Sequence, residues 1–142
     1  MRRNAALISV VYPIVALTRR IFCGVSGIFR GDRLPEDLRG DLLIPEPVGR
    51  LIRRASVERK DAKTVLTNKY PGSEFIRTRD ANFRPLWAET APDGRMLLVD
   101  MHRGIIQQGN WTRPGSYLRG IIDKWGLDKN VGKGRIYRLV HK

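Results

Sequence analysis

The fold is decided by Gly40-Asp-Leu-Leu-Ile-Pro-Glu46, whose pattern of a glycine, an apolar run and a carboxylate returns in Gly94-Arg-Met-Leu-Leu-Val-Asp100. A return strand follows the first copy as Gly49-Arg-Leu-Ile-Arg-Arg54, and its counterpart near the chain end is Gly134-Arg-Ile-Tyr-Arg-Leu139. The repeated unit is therefore strand, tight turn, strand. In the second copy an insert, about residues 101–133, separates the two strands.

Repeats of short strands with glycine-marked turns are typical of β-propeller blades. The sequence predicts an all-β fold, a partial β-propeller of about two blades built as antiparallel meanders, with one short helix in the insert. Strands are expected at residues 41–45, 50–58, 63–68, 86–91, 96–100 and 135–141, and the helix at residues 116–125. Ser116 is the expected N-cap and Gly126 the stop of that helix. Trp125 is expected to anchor the helix on the sheets.

Length and composition bound the organisation of the chain. Its 142 residues predict one domain at most, and 42% hydrophobic with 29% charged residues is a globular composition. The propeller fragment is assigned to residues 24–142. A single cysteine, Cys23, excludes an internal disulfide framework, and the sequence contains neither a Cys-x-x-Cys-His haem attachment motif nor zinc-type cysteine spacing.

The first 23 residues form a separate apolar and basic segment. Arginines at positions 2 and 3 precede a mostly apolar run at residues 5–17, and Arg19 and Arg20 follow it. This is the outline of an export signal, although the run is short for a membrane span and contains Pro13. A degenerate signal, a weak anchor and a displaced gene start all remain open. A working signal would place the protein in the periplasm or at the membrane.

The net charge of +13 raises the question of a nucleic-acid partner. Basic charge alone is a weak signal, and here carboxylates alternate with arginines, as in Arg30-Gly-Asp-Arg33. We therefore interpret the charge as a basic solvated surface and expect no nucleic-acid partner.

Several motifs together resemble the late blades of the planctomycete-type membrane-bound dehydrogenase β-propeller family, which is similar to the soluble quinoprotein glucose and aldose sugar dehydrogenases. The resemblance covers residues 24–142. It is carried by the stretch from Arg30 to Arg54 and by Asn82-Phe-Arg-Pro85, Ala91-Pro-Asp-Gly94, Val99-Asp-Met-His-Arg-Gly-Ile-Ile-Gln107 and Gly134-Arg-Ile-Tyr-Arg138.

The resemblance implies a six-bladed propeller that oxidises a sugar or alcohol. Its implied cofactor is pyrroloquinoline quinone in the intact parent, and its implied partners are the remaining blades or a cytochrome c domain that accepts the electrons. The chain lacks the earlier blades, where the family's catalytic base would lie, and the cytochrome motif. We therefore expect a truncated propeller piece that is inactive alone, and we assign no catalytic residue.

Candidate residues for a cofactor or substrate face cluster where the second strand copy meets the insert. They are Asp100, His102, Arg103, Gln107 and Trp111. Arginine and histidine can hold an acidic cofactor by charge-assisted hydrogen bonds, and histidine can act as a general base. A structural alternative is favoured for Asp100 and its repeat equivalent Glu46, because such carboxylates commonly accept backbone hydrogen bonds in the following turn. No metal site is expected.

Two functions from other classes stay open. The first is a non-catalytic propeller-type module that binds carbohydrate or protein, and the second is a small basic nucleic-acid-binding protein. Two blades also leave unpaired sheet edges, which template further pairing, so the sequence predicts self-association.

Overall fold

The computed structural model describes residues 24–106 and 109–141, which form two antiparallel sheets and one short α-helix. The predictions for residues 1–23, Cys23 included, and for Gln107 concern residues outside these ranges. The fold class predicted from the sequence, an all-β arrangement of two meanders with one helix, is confirmed.

The first sheet contains the strands β1 (Gly27–Ile28), β2 (Leu42–Glu46), β3 (Leu51–Lys60), β4 (Lys63–Asn68) and β5 (Ile76–Arg77). The long strand β3 lies at its centre. The N-terminal part of β3 pairs with β2 on one side and β5 on the other, and its C-terminal part pairs with β4. The predicted pairing of the first strand copy with its return strand is therefore confirmed.

The second sheet is a simple meander of β6 (Pro85–Thr90), β7 (Met96–Asp100) and β8 (Arg135–Leu139). Gly94, with φ of 78°, closes the β6–β7 turn, as expected for an Asp-Gly hairpin. Strand β8 pairs with β7 although the whole insert lies between them, with Leu98 opposite Tyr137. Strands β1 and β5 were not predicted, because two residues are too few to show a periodic pattern.

The two sheets meet backbone to backbone. Val25 forms a parallel bridge with Trp87, in which the Val25 amide donates to the Leu86 carbonyl at 2.7 Å. A Cβ placed on Gly27 would lie 2.0 Å from the Ala88 carbonyl oxygen, so only glycine permits this approach. The segment around β1 therefore seals the first sheet against β6.

One hydrophobic core lies between the two sheets. Alternate residues of β2 and β7 are buried, which is the period-2 pattern of strands with one face toward a core. The buried members are Phe29, Leu38, Leu43, Ile52, Phe83, Ala88, Met96 and Leu98. They come from both sheets, so the described residues share a single core.

The insert holds a 3-10 turn at Gly109–Trp111 and the helix α1 at Tyr117–Trp125. The Ser116 hydroxyl accepts a hydrogen bond from the Arg119 amide at 3.1 Å, and Gly126 ends the helix in the left-handed conformation. Both predicted helix ends are confirmed. The prediction that Trp125 anchors the helix is wrong, because Trp125 is 66% exposed. Ile122 and Leu127 are buried instead, and Leu127, which follows the turn at Gly126, lies against Gly104 at the start of the insert.

Candidate functional site

The predicted site lies at one end of both sheets, which we call the insert end. Strands β2 and β7 finish there, and β3, β6 and β8 begin there. The turn after β2, the connection before β6 and the start of the insert therefore meet at this end.

Arg84, immediately before β6, joins the segments of the insert end. It is 2% exposed. Its guanidinium donates to the carbonyls of Pro47 at 2.7 Å and Val48 at 3.2 Å in the turn after β2. It also donates to the carbonyls of Arg103 at 3.0 Å and Gly104 at 2.6 Å in the insert. One buried side chain thus ties the first sheet to the insert of the second.

Burial dominates the electrostatics of Arg84. It lowers the pKa of Arg84 to about 10, helped by the nearby charge of Arg50 and opposed by Glu46 and Asp100. Arg84 is therefore still a cation at neutral pH. Four carbonyl oxygens solvate that charge in place of water, which is how a buried cation becomes tolerable.

Asp100, the last residue of β7, is 1% exposed and saturated with hydrogen bonds. Its Oδ1 accepts from the backbone amides of Arg84 at 2.6 Å and His102 at 2.8 Å. Its Oδ2 lies 3.2 Å from His102 Nδ1 and accepts from the Tyr137 hydroxyl at 3.4 Å. We call Arg84, Asp100, His102 and Tyr137 the clasp. The structural role expected for Asp100 is confirmed.

Glu46 performs the equivalent task in the first copy. Its carboxylate accepts the backbone amide of Val48 at 3.2 Å and that of Gly49. The structural interpretation of the repeated carboxylate therefore holds for both copies.

His102 is enclosed in the clasp. It is 5% exposed and has a φ of 47°, a left-handed conformation that is uncommon for residues other than glycine. Besides Asp100, the Asp80 carboxylate lies 3.8 Å from its Nδ1, and its carbonyl accepts from the Asn130 side chain at 2.6 Å. A carboxylate-held imidazole is the arrangement that orients a general base, but this ring is buried.

The structure brings together only part of the predicted site. Asp100 and His102 are in contact, whereas within residues 24–106 and 109–141 no hydrogen bond links the side chains of Arg103 or Trp111 to them. Trp111 is 71% exposed, and Tyr117 of the same insert is more exposed still. Sequence reasoning missed Arg84 as a site residue. The available sequence signal for a buried Arg84 was its position between the apolar residues Phe83 and Pro85, which are both buried in the structure.

The clasp does not fit an acidic quinone. Its guanidinium donates to backbone carbonyls, and its carboxylate accepts backbone amides, so neither group is directed at a ligand. The part of the chain that the structure describes also contains no group of three His, Cys, Asp or Glu side chains suited to a metal ion.

These features place the chain among all-β proteins, with a buried arginine that joins one antiparallel sheet to the start of an insert in the other. Residues 17–142 match the family described as Domain of unknown function (DUF7133), and the chain belongs to that family. No curated protein and no solved structure matches the chain. In the described ranges, no helix has the length and apolar character needed to cross a membrane.

Proposed function

We propose that the chain supplies two blades to a quinoprotein-type propeller that oxidises a sugar or alcohol, and that these blades contribute structure while other blades carry the chemistry. The observation behind this proposal is the clasp. Its one histidine and one carboxylate, the residues that most resemble a catalytic pair, are buried and used to hold the chain.

Oxidation of a hydroxyl group needs a base within hydrogen-bond reach of the substrate proton. His102 is enclosed, and both oxygens of Asp100 already accept hydrogen bonds. These residues instead hold the start of the insert against the beginning of β6 and against β8. The catalytic base and the acidic cofactor of such a propeller would then belong to the remaining blades.

The outer strands support a partner of this kind. Residues of β4 and β8 are almost all exposed, and Leu66 and Ile136 present apolar side chains to solvent. Edge strands of this type pair readily with further strands, so further blades are the partners we propose. In their absence we expect the chain to self-associate as salt screens its +13 charge, which sedimentation at increasing salt would measure. We place the assembly in the periplasm or at its membrane, with a cytochrome c domain as electron acceptor.

A dye-linked oxidation assay tests the proposal. The purified chain is expected to show no turnover of aldoses or alcohols, with or without pyrroloquinoline quinone. Expression together with any blades encoded upstream of Met1 is expected to give turnover that requires the quinone. His102→Gln should lower the melting temperature of that assembly and leave kcat within about twofold, since it removes a structural contact only. Turnover by the chain alone that is lost in His102→Ala would refute the structural role.

A second candidate is a carbohydrate-binding module without oxidase chemistry. It is favoured by Trp111, Tyr117 and Trp125, three aromatic side chains of the insert that are exposed rather than packed. Exposed aromatic rings offer flat apolar faces with a polar edge, which suit binding at a wet surface. Oligosaccharide binding that is weakened by Trp111→Ala, in an assembly that oxidises no sugar, would select this function.

A further inference from the structure

The end of the sheets opposite the clasp, which we call the loop end, carries an open depression of about 430 Å³. It is formed by the loop after β1 and by the β6–β7 turn. Its charged lining residues are Arg30, Asp32, Arg33, Arg39 and Asp93. A volume of this size falls within the range of small-molecule sites.

Backbone contacts fix the two walls of the depression relative to each other. The Arg33 amide donates to the Gly94 carbonyl at 3.0 Å, and the Arg30 amide donates to the Thr90 hydroxyl at 3.0 Å. A Cβ on Gly31 would lie 2.0 Å from the Gly94 carbonyl oxygen, so the two loops are in direct contact. Side chains carried by these loops therefore project from a fixed base.

Three guanidinium groups of the depression have no acidic partner. Within residues 24–106 and 109–141, no carboxylate lies within ion-pair distance of Arg30, Arg33 or Arg39. Each of these residues is exposed. Like charges gathered on a concave surface raise the local positive potential and attract anions.

The acidic residues of the depression offset only part of this charge. Asp93 lies 3.1 Å from the Arg95 guanidinium and 3.4 Å from that of Arg138. The hydrogen bond from the Arg95 backbone amide is the main cause that lowers the pKa of Asp93, so this carboxylate is ionised at neutral pH. Its charge is balanced by Arg95 and Arg138. Asp32 is the one carboxylate of the lining without such a pair in the described ranges.

We propose that the depression at the loop end binds a small dianionic oxyanion, either free phosphate or sulfate or the phosphate monoester of a sugar. Guanidinium groups match the tetrahedral oxyanion by paired N–H donors. The site is independent of the dehydrogenase proposal, because it uses neither the insert nor the clasp.

Titration calorimetry and thermal unfolding of the full chain test the site. Phosphate and sulfate are expected to raise the melting temperature above that in sodium chloride of equal ionic strength. Arg33→Gln and Arg39→Gln are each expected to weaken phosphate binding about tenfold, the usual order for one charge-assisted contact. The control Arg59→Gln removes the same charge from the exposed end of β3 and should leave affinity unchanged.

A charge change in the opposite direction makes the test sharper. Asp32→Asn should strengthen phosphate binding several-fold because it removes the unpaired anion. Asp61→Asn is its control: Asp61 has a φ of 49° in the β3–β4 turn, a conformation that asparagine tolerates, and it should have no effect. Glucose 6-phosphate binding more tightly than both inorganic phosphate and glucose would identify a sugar ester as the source. Equal stabilisation by chloride, or equal weakening by Arg59→Gln, would overturn the proposal and leave only a solvated basic face.

Discussion

Glu46 and Asp100 occupy the same position in two copies of one sequence pattern, yet Asp100 forms hydrogen bonds with more segments of the chain than Glu46 does. Glu46 is half-buried and accepts amides from its own turn. Asp100 is buried and accepts from Arg84 and Tyr137, which are distant in sequence, as well as from the adjacent His102. Where the turn is short, a local carboxylate is sufficient. Where an insert replaces the turn, the carboxylate also holds the start of the insert against two other strands.

The largest effect is expected at Arg84, the residue that connects both copies. Arg84→Met keeps the apolar stem of the side chain but removes the guanidinium, which leaves four carbonyls without their donor. We expect the free energy of unfolding to fall by about 4 kcal/mol or more, because unpaired buried polar groups each carry a desolvation cost. Urea denaturation measures it, with the exposed Arg59→Met as a control expected to change stability by under about 0.5 kcal/mol. A small loss for Arg84→Met would show that water replaces the guanidinium at no cost.

The comparison of the two carboxylates can be tested directly. Asp100→Ala leaves the buried amides of Arg84 and His102 without an acceptor, so we expect a loss of about 3 kcal/mol. Glu46→Ala removes a partly exposed turn acceptor and should cost about 1 kcal/mol, by analogy with side chains that accept backbone amides at helix N-termini. Chemical denaturation of both variants gives the ratio of their losses in unfolding free energy. Equal losses would mean that the two copies are energetically equivalent despite their different contacts.

The repeated unit made the sheets predictable, and long-range contacts made the site unpredictable. Strands β2, β3, β7 and β8 were found because a glycine and an apolar run mark each of them, and α1 because Ser116 and Gly126 mark its ends. The role of Arg84 depends on carbonyls from residues 47–48 and 103–104, which no local pattern brings together. The exposure of Trp125 was missed for the same reason, since it depends on where the chain turns after the helix.

A smaller effect is expected within the insert itself. Ser116→Ala removes the acceptor of the Arg119 amide and should lower stability by about 1 kcal/mol. Ser116→Asp keeps an oxygen that can accept the Arg119 amide, so most of the stability lost in Ser116→Ala should be retained. Circular dichroism melting compares the three proteins. If Ser116→Ala had no effect on the global melt, the helix would unfold independently of the clasp that holds the start of the insert.

The smallest effect concerns exposed carboxylates, in contrast to the buried Asp100. The hydrogen bond from Arg119 is the main cause that lowers the pKa of Asp123 below its ordinary 3.8. A carboxylate with a lowered pKa in the folded state contributes stability above pH 3.8 and loses it as pH falls through the folded pKa. Melting temperatures between pH 5 and pH 2 should therefore fall slightly less in Asp123→Asn than in the parent chain. An identical decline in both would show that this exposed pair contributes nothing.

The seal at β1 has a consequence for how the protein can vary. Gly24, Gly27 and Gly31 each lie where an added Cβ would be about 2 Å from a carbonyl of the second sheet, while Val25 and Ile28 between them are exposed. The relative position of the two sheets therefore depends on glycine at these three positions, because any other residue would bring a Cβ into contact with a carbonyl. In saturation mutagenesis of this segment, we expect the exposed positions Val25 and Ile28 to accept many substitutions and the glycines between and beside them to accept none.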